Sequence, residues 1–344
     1  MNSEVFDAVI VGAGPIGIEL AVRLKQAKLR YAHFDARQVG YTISWFPPLT
    51  HFFSSNERIA IAGVPLQTAT QEKATREEYL AYLRSIVLQF DLKIHTYEPV
   101  TSIARQADGA FALTTRPRGG QTRMMRAKNV ILCTGGTDRP RRLGIPGENL
   151  PHVSSYFQDP HAYFQQNTLI IGGKNSAVES ALRCHHAGAR VTISYRRERL
   201  PQKSIKYWLM PEIEGLNESK RIAVHFSTVP VAITPTHVTL RRQNDTFDVP
   251  ADFVLSLIGY EQDNALLKQV GVELHGESQT PRFDPQTMQT NIPGIYVAGT
   301  AVGGTQDRYT VFIENCHVHV DRIVSAVTGR HTIIDAATYS EPES

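Results

Sequence analysis

Ala8-Val9-Ile10-Val11-Gly12-Ala13-Gly14-Pro15-Ile16-Gly17 is the stretch on which the reading of this chain turns. An apolar run of strand length meets three glycines spaced Gly12-x-Gly14-x-x-Gly17, and a helical pattern through Leu20 and Leu24 follows. Each glycine has its own task in such a turn. Gly12 permits the tight reversal, Gly14 lets a pyrophosphate approach the backbone, and Gly17 lets the helix lie against the strand. Pro15 presets the first helical φ. The helix N-terminus aims unpaired N–H groups and a positive dipole end at the same point. Tyr31-Ala32-His33-Phe34 reads as the next strand, and Asp35 at its end, about 20 positions beyond Gly14, can accept hydrogen bonds from a ribose diol. The glycines alone are compatible with a tight turn that binds nothing; strand, helix and acid together point to a dinucleotide.

The same grammar recurs. Thr168-Leu169-Ile170-Ile171 leads into Gly172-Gly173-Lys174-Asn175-Ser176-Ala177, a helix through Leu182 and a strand ending at Ser194. Strand, helix, strand gives a right-handed parallel crossover, so the expected fold is α/β with two Rossmann-like dinucleotide-binding domains. Each copy closes on a buried strand ending in glycine, Asn129 to Gly135-Gly136 in the first and Asp252 to Gly259 in the second. The first copy is longer by about 37 residues, placed between Gly40 and Phe90. That insertion holds an aromatic and proline-rich stretch at 41–53 and a helix expected over 75–90, and such insertions often shape a substrate site. Antiparallel flaps are expected at 100–115 and 222–247. The Pro- and Gly-rich stretch at 139–148 marks the crossing into the second domain. The expected division is 1–140 and 259–334 for the first domain, 141–258 for the second, and a frayed tail at 335–344. Hinges are expected at 139–151 and at Gly259-Tyr260.

The second turn departs from the first. Lys174 takes the middle glycine position, Ala177 the last, and Ser194 is read as replacing the acid, with Tyr195-Arg196-Arg197 following at once. Losing a carboxylate and gaining guanidiniums suits a 2'-phosphate, hence NADPH over NADH; a solvated basic loop is the other reading. Two units suggest two cofactors, FAD on the first and NADPH on the second. Candidate FAD contacts are Gly12, Gly14, Pro15, Gly17, Asp35, Gly135, Gly299 and Thr300. Candidate NADPH contacts are Gly172, Gly173, Lys174, Asn175, Ser176, Tyr195, Arg196 and Arg197. A return through Asn291 to Gly299 and a helix expected over 310–327 would aim N-terminal amides at the flavin pyrimidine edge.

Composition removes other classes. The chain has 344 residues, 42% hydrophobic and 20% charged, enough for two globular cores. A net charge of +3 without a long basic run argues against nucleic acid. Mean hydropathy is -0.23 and the apolar runs are strand-sized, so no membrane span is expected. The N-terminal run reads as a core strand and not a signal peptide. Cys133, Cys184 and Cys316 are an odd number and form no CxxC, so neither a disulfide framework nor a zinc site is indicated, and a cytoplasmic location is expected. His185-His186 and His317-x-His319 lack metal-site company, and no metal is expected.

Phe52-Phe53-Ser54-Ser55, Ile171-Gly-Gly-Lys-Asn-Ser176, Ser204-Ile-Lys206 with Trp208 and Pro211, and Phe312-Ile-Glu-Asn315 carry a narrower signal. Over nearly its whole length the chain resembles the thioredoxin reductase-like flavoproteins with two dinucleotide domains, and most closely the bacillithiol disulfide reductase (YpdA) family. That resemblance implies NADPH-dependent, FAD-mediated reduction of a low-molecular-weight disulfide in a bacterial cytoplasm, by a homodimer. The chain also departs from its relatives. Where a thioredoxin reductase carries CxxC, this sequence reads Val153-Ser154-Ser155-Tyr156-Phe157-Gln158, and Gly40 to Trp45 lacks the paired cysteines of a glutathione reductase. Ile16 stands where the YpdA family typically has Cys, and Thr300 where the wider group has an Asp on the flavin ribityl chain. A hydroxyl can still donate or accept there.

Two side chains remain as candidate catalytic groups. Cys133 ends the closing strand beside the expected flavin, where it is either an activated thiol or a small core residue. His51, in the aromatic insertion, is either an acid–base group or a capping histidine. The electrons go to a small-molecule disulfide or to another electron acceptor such as a quinone, a ferredoxin-like protein or oxygen. A slow redox-sensing flavoprotein is the reading from outside enzymology.

Overall fold

The computed structural model describes residues 5–306 and 310–330; the tail expected at 335–344 lies outside them. In chain order, β1 (Val5–Val11), α1 (Pro15–Gln26) and β2 (Tyr31–Phe34) make the first crossover, with Ala8 opposite Tyr31 and Val11 opposite Phe34 in parallel register. Gly14 caps α1 and Pro15 opens it. The chain then passes a short helix, α2 (Asn56–Ile59), and reaches α3 (Arg76–Gln89). A capping box starts α3: Glu78 N–H donates to Thr75 Oγ1 at 3.3 Å and Thr75 N–H donates to the Glu78 carboxylate at 2.8 Å. Its aromatic face anchors the insertion, because the Tyr79 hydroxyl donates to Ile59 O and the Tyr82 hydroxyl to Val64 O. β3 (Ile94–His95), β4 (Val100–Arg105), β5 (Phe111–Thr115) and β6 (Arg123–Leu132) complete a sheet of order β3-β2-β1-β6-β5-β4. β4 and β5 form the expected antiparallel flap.

The chain crosses through β7 (Arg139–Pro140) to β8 (Val153–Ser154), β9 (Asn167–Ile171), α4 (Asn175–His186), β10 (Arg190–Tyr195), α5 (Met210–Glu218) and β11 (Ala223–Phe226). A three-stranded flap follows, β12 (Val229–Ile233), β13 (His237–Arg242) and β14 (Asp245–Pro250), and β15 (Phe253–Ser256) closes a five-stranded parallel sheet of order β11-β10-β9-β15-β8. The return runs through β16 (Tyr260–Glu261), which pairs with β7, then α6 (Ala265–Gln269), β17 (Leu274–His275), β18 (Thr280–Pro281), β19 (Ile295–Val297) and α7 (His317–Thr328). β6 is long enough for two neighbours: Arg123 to Ala127 pair with β5, and Val130 to Leu132 pair with β19 in parallel.

Among the described residues there are two compact units, one of 5–44, 49–139, 261–306 and 310–330, the other of 45–48 and 140–260. Both are Rossmann-like. The C-terminal helix starts later than its sequence pattern implies, at His317 and not near Thr310. Asn315 is the reason. Its Oδ1 accepts Phe312 N–H at 2.9 Å and its Nδ2 donates to Thr310 O at 2.8 Å, holding 310–312 as a turn ahead of a single 3-10 turn at Ile313–Asn315. Among the described residues no helix is long and apolar enough to cross a membrane.

Candidate dinucleotide-binding sites

The first glycine turn divides its labour as steric arithmetic demands. A methyl at Gly12, whose φ is +109°, would stand 2.3 Å from Cys133 O, and one at Gly17 would stand 2.0 Å from Gly12 O. Those two glycines are required by the protein itself. Gly14 is different: nothing lies within 4 Å of the place a Cβ would take. The cap of α1 thus faces open space, as the approach of a pyrophosphate to backbone N–H groups requires. Asp35 stands beside this turn. Its Oδ2 accepts Ala13 N–H at 2.5 Å and its Oδ1 accepts Arg37 N–H at 2.7 Å, leaving acceptor capacity on both oxygens for a diol. Burial raises its carboxyl pKa, and the two N–H bonds oppose that rise.

The closing strand and the return bring the other first-unit candidates to the same sheet end. Gly136 N–H donates to Thr300 Oγ1 at 3.0 Å, and a Cβ at Gly135 would lie 3.8 Å from that oxygen. With its lone pair engaged, the Thr300 hydroxyl keeps its proton for a ligand. A Cβ at Gly299 would lie 3.4 Å from Ile16 Cβ, so glycine turn and return are in close contact. Sequence reasoning missed the two histidines that hold this arrangement. His319 Nδ1 accepts Gly299 N–H at 3.2 Å, and His33 Nε2 donates to Gly12 O at 2.9 Å. Burial lowers the pKa of each to about 4, so both rings are neutral near pH 7. A histidine amid Tyr31-Ala32-His33-Phe34, otherwise a core strand, was the available signal.

The two candidate catalytic groups are placed differently from what their chemistry asks. Cys133 is buried, and desolvation pushes its thiol up to about 12, the direction opposite to that of an activated thiolate. Cys184 in α4 is likewise pushed up to about 12, and Cys316, which caps α7 and is not inside it, lies well above the usual range. His51 Nδ1 donates to Lys73 O at 2.6 Å, and its backbone bridges to Thr75, so this ring fastens one loop of the insertion to another.

In the second unit the strand register corrects one assignment. Gly12 N–H donates to Phe34 O at 2.8 Å, and Gly172 N–H donates to Ser194 O at 3.0 Å. Phe34 therefore corresponds to Ser194, and Asp35 to Tyr195. Ser194 is buried, with its hydroxyl 2.9 Å from Thr228 Oγ1, so it does not take the acid's place. Tyr195 does, and its ring lies where a Cβ on Gly173 would be, 2.4 Å from Tyr195 Cδ2. The aromatic ring is thus held against the turn, while Arg196 and Arg197 immediately beyond it are exposed. Lys174 caps α4 and is exposed beside Ser176. Asn175 is turned inward: its Oδ1 accepts Lys206 N–H at 3.1 Å and its Nδ2 lies 3.4 Å from Glu179 Oε2. Glu179 and Lys206 form a buried ion pair at 2.8 Å that sequence reasoning also missed.

The family model for pyridine nucleotide-disulphide oxidoreductases matches residues 9–299, both glycine turns included. The bacilliredoxin reductase Bdr of Bacillus subtilis (strain 168) is 33% identical over 94% of this chain and 98% of its own. The chain belongs to these oxidoreductases, and within them to the Bdr (YpdA) family. Family membership makes it an oxidoreductase. The solved bacillithiol disulfide reductase Bdr (YpdA) from Bacillus cereus superposes with a TM-score of 0.90 at 31% identity, covering 95% of this chain and 99% of that one. The T. acidophilum thioredoxin reductase shares the fold, with a TM-score of 0.71 at 22% identity over 95% of this chain and 97% of its own. The YpdA family member described here thus has the thioredoxin reductase-like fold.

Proposed function

We propose that the chain is an NADPH-dependent, FAD-containing reductase that reduces a low-molecular-weight disulfide to two thiols, with the first unit holding FAD and the second NADPH. The observation that carries this reading is the contrast between the register-equivalent Asp35 and Tyr195. One turn presents a carboxylate to a ribose diol; the other presents an aromatic ring followed by two guanidiniums, which suit a 2'-phosphate. When bound, FAD accepts a hydride equivalent from NADPH and passes two electrons to the acceptor.

The protein's own groups position and neutralise. The N-termini of α1 and α4 would receive the pyrophosphates, Lys174 would add a cation at the second, and Thr300 would offer a hydroxyl proton beside Gly135. No protein thiol takes part in this reading, because Cys133, Cys184 and Cys316 are buried and held as thiols. The same observation favours a second reading, in which the acceptor is a quinone, a ferredoxin-like protein or oxygen. Three unpaired thiols suit the cytoplasm, and the resemblance to the family favours a homodimer.

Anaerobic mixing of the FAD-loaded protein with stoichiometric NADPH, followed by bacillithiol disulfide, tests the reading. Return of oxidised flavin absorbance with release of two thiols per NADPH is expected. A flavin that stays reduced until a quinone or oxygen is admitted overturns it in favour of the second reading.

A further inference from the structure

Both ring nitrogens of His317 meet acceptors. Nδ1 lies 2.8 Å from Glu19 Oε2 and Nε2 lies 2.9 Å from Arg58 O. A carboxylate and a peptide oxygen only accept, so the ring satisfies both as the imidazolium, with a proton on each nitrogen. These contacts lie within the first unit and join three of its elements: Glu19 is on α1, Arg58 is in α2 and His317 opens α7. Glu19 completes the join, because its Oε1 accepts Ala62 N–H at 3.1 Å. One carboxylate–imidazolium pair therefore holds the insertion at both Arg58 and Ala62.

The surrounding charges call for that cation. Among the described residues, Glu19 on α1, Glu314 in the 3-10 turn and Asp321 on α7 supply three carboxylates; Arg58 meets Glu314 at 3.5 Å and Arg23 meets Asp321 at 2.8 Å. Three carboxylates thus face two guanidiniums, and the imidazolium balances them. The other titratable neighbours do not replace it: His319 is neutral near pH 7, burial keeps the protons on Cys316 and on Tyr79 and Tyr82 of α3, and Arg322 is within electrostatic reach of His319 and Asp284. Burial alone would lower the His317 pKa, but the bond to Glu19 and its charge, with Arg58 O, raise it above the ordinary value. The segment so held is strained, since Ala62 has a φ of +56°, a left-handed conformation that costs a residue with a Cβ free energy. It also walls a cavity of about 700 Å³ whose lining includes Ala60, Gly63, Val64 and Leu66.

We infer that Glu19 and His317 form a pH-sensitive latch that keeps residues 58–62, and with them this cavity wall, closed on α1 and α7. Loss of one ring proton leaves either Glu19 Oε2 or Arg58 O facing a nitrogen lone pair. It also leaves Glu19, whose side chain is 13% exposed, without its cation. The carboxylate then turns to water and gives up Ala62 N–H, and the strained turn relaxes. A ring free in water loses this proton near pH 6.5 and the latched ring loses it at higher pH. The latch therefore holds fully below pH 6.5 and weakens as pH rises through the latched value.

The test is amide hydrogen exchange of the FAD-loaded protein at pH 6, 7.5 and 9, followed by mass spectrometry in peptides covering 57–64. Each rate is divided by that of His317→Arg, which keeps a cation with several donors at every pH, so the intrinsic pH dependence of exchange cancels. The ratio should be near one at pH 6 and rise about tenfold by pH 9, while peptides from β5 stay near one. His317→Gln, which has no charge to lose, should exchange fast at all three. Should His317→Arg fail to fold, His317→Gln is the reference: the parent should exchange about tenfold more slowly than it at pH 6 and equally fast at pH 9. A ratio that does not change with pH overturns the inference, and so does a rise shared by β5, which marks general loosening. Nitrogen NMR of the ring judges the latch separately. Both nitrogens of His317 should carry protons at pH 6, and a neutral ring there overturns it.

Discussion

Gly14 and Gly17 look interchangeable in a glycine motif, and replacing each by alanine separates what the fold needs from what the ligand needs. At Gly17 the new methyl would sit 2.0 Å from Gly12 O and 3.1 Å from Gly12 C, backbone atoms that no rotamer change can move. α1 must back away from β1 by about 1 Å, an overpacking that costs about 1–3 kcal/mol and sits at the upper end when both partners are backbone. At Gly14 no atom lies within 4 Å and the backbone is extended, with φ -75° and ψ -179°, so alanine meets neither a clash nor strain. Its loss as a helix cap is at most about 1 kcal/mol. The methyl instead fills the space through which a pyrophosphate reaches the α1 amides. Losing about 2–3 kcal/mol of that contact weakens FAD binding by roughly 30- to 150-fold. Urea unfolding of the FAD-free variants and titration with FAD, followed by quenching of flavin fluorescence, give the two quantities separately. Gly17→Ala should lose stability with or without FAD, and Gly14→Ala should lose affinity alone. The reasoning is refuted if FAD-free Gly14→Ala is destabilised as much as Gly17→Ala, or if it binds FAD like the parent.

The buried thiols make a second prediction: the folded, FAD-loaded protein should react negligibly with a disulfide reagent at pH 8 and release three thiols on denaturation, and one fast-reacting thiol in the native state would count against a thiol-free mechanism. The histidines set an acid limit. His33 and His319 have folded pKa values of about 4 against an ordinary 6.5, so the unfolded chain binds more protons below pH 6.5 and stability falls as pH drops from there to about 4, by roughly 3 kcal/mol per histidine. His33→Gln, which keeps a donor for Gly12 O, should flatten that dependence in urea melts at pH 4.5 and 7; an unchanged slope refutes the assignment. Lys206→Met leaves Glu179 buried beside one cation fewer and should cost about 3–5 kcal/mol, with part of the loss recovered in Lys206→Met/Glu179→Gln. Arg196→Ala/Arg197→Ala should lower kcat/KM for NADPH at least about tenfold while sparing NADH, and equal losses for both would return these guanidiniums to the solvated surface.

Local rules made the fold legible. Strand, glycine turn and helix are contiguous in sequence, so the crossovers at Val5–Val11 and Asn167–Ile171 follow from periodicity and glycine spacing, and the helical spacing of Tyr79, Tyr82, Leu83, Ile86 and Val87 brings the expected 75–90 helix to within a residue of α3. What stayed hidden depends on partners far apart in the chain. His319 is an ordinary polar residue in a helical pattern until β19 brings Gly299 N–H against it. Glu179 becomes a junction only when Lys206 and Arg183 converge on it, and the late start of α7 hangs on one amide side chain. Ser194 was misassigned for a related reason: counting from glycine to strand end carries an error of one residue, and only the ladder, in which Gly172 bonds to Ser194 O, removes it.

That one-residue shift also explains how a single backbone pattern serves two roles. In both units the residue that follows the one bonded to the first turn glycine, Asp35 after Phe34 and Tyr195 after Ser194, contacts the second residue of the glycine turn. In the first unit a carboxylate does so by accepting Ala13 N–H; in the second a ring does so by lying on Gly173. Tyr195 therefore constrains its turn as strongly as Asp35 does. A side chain on Gly173 would collide with the ring, whereas Ala13 already carries a methyl opposite the smaller carboxylate. The specialisation is reciprocal, so converting the second site to the first type needs Tyr195→Asp together with Gly173→Ala. Tyr195→Asp alone leaves a void against Gly173, and Gly173→Ala alone places its methyl 2.4 Å from the ring. The coupling between the two changes should be favourable, and a double-mutant cycle in urea that returns simple additivity would break the argument.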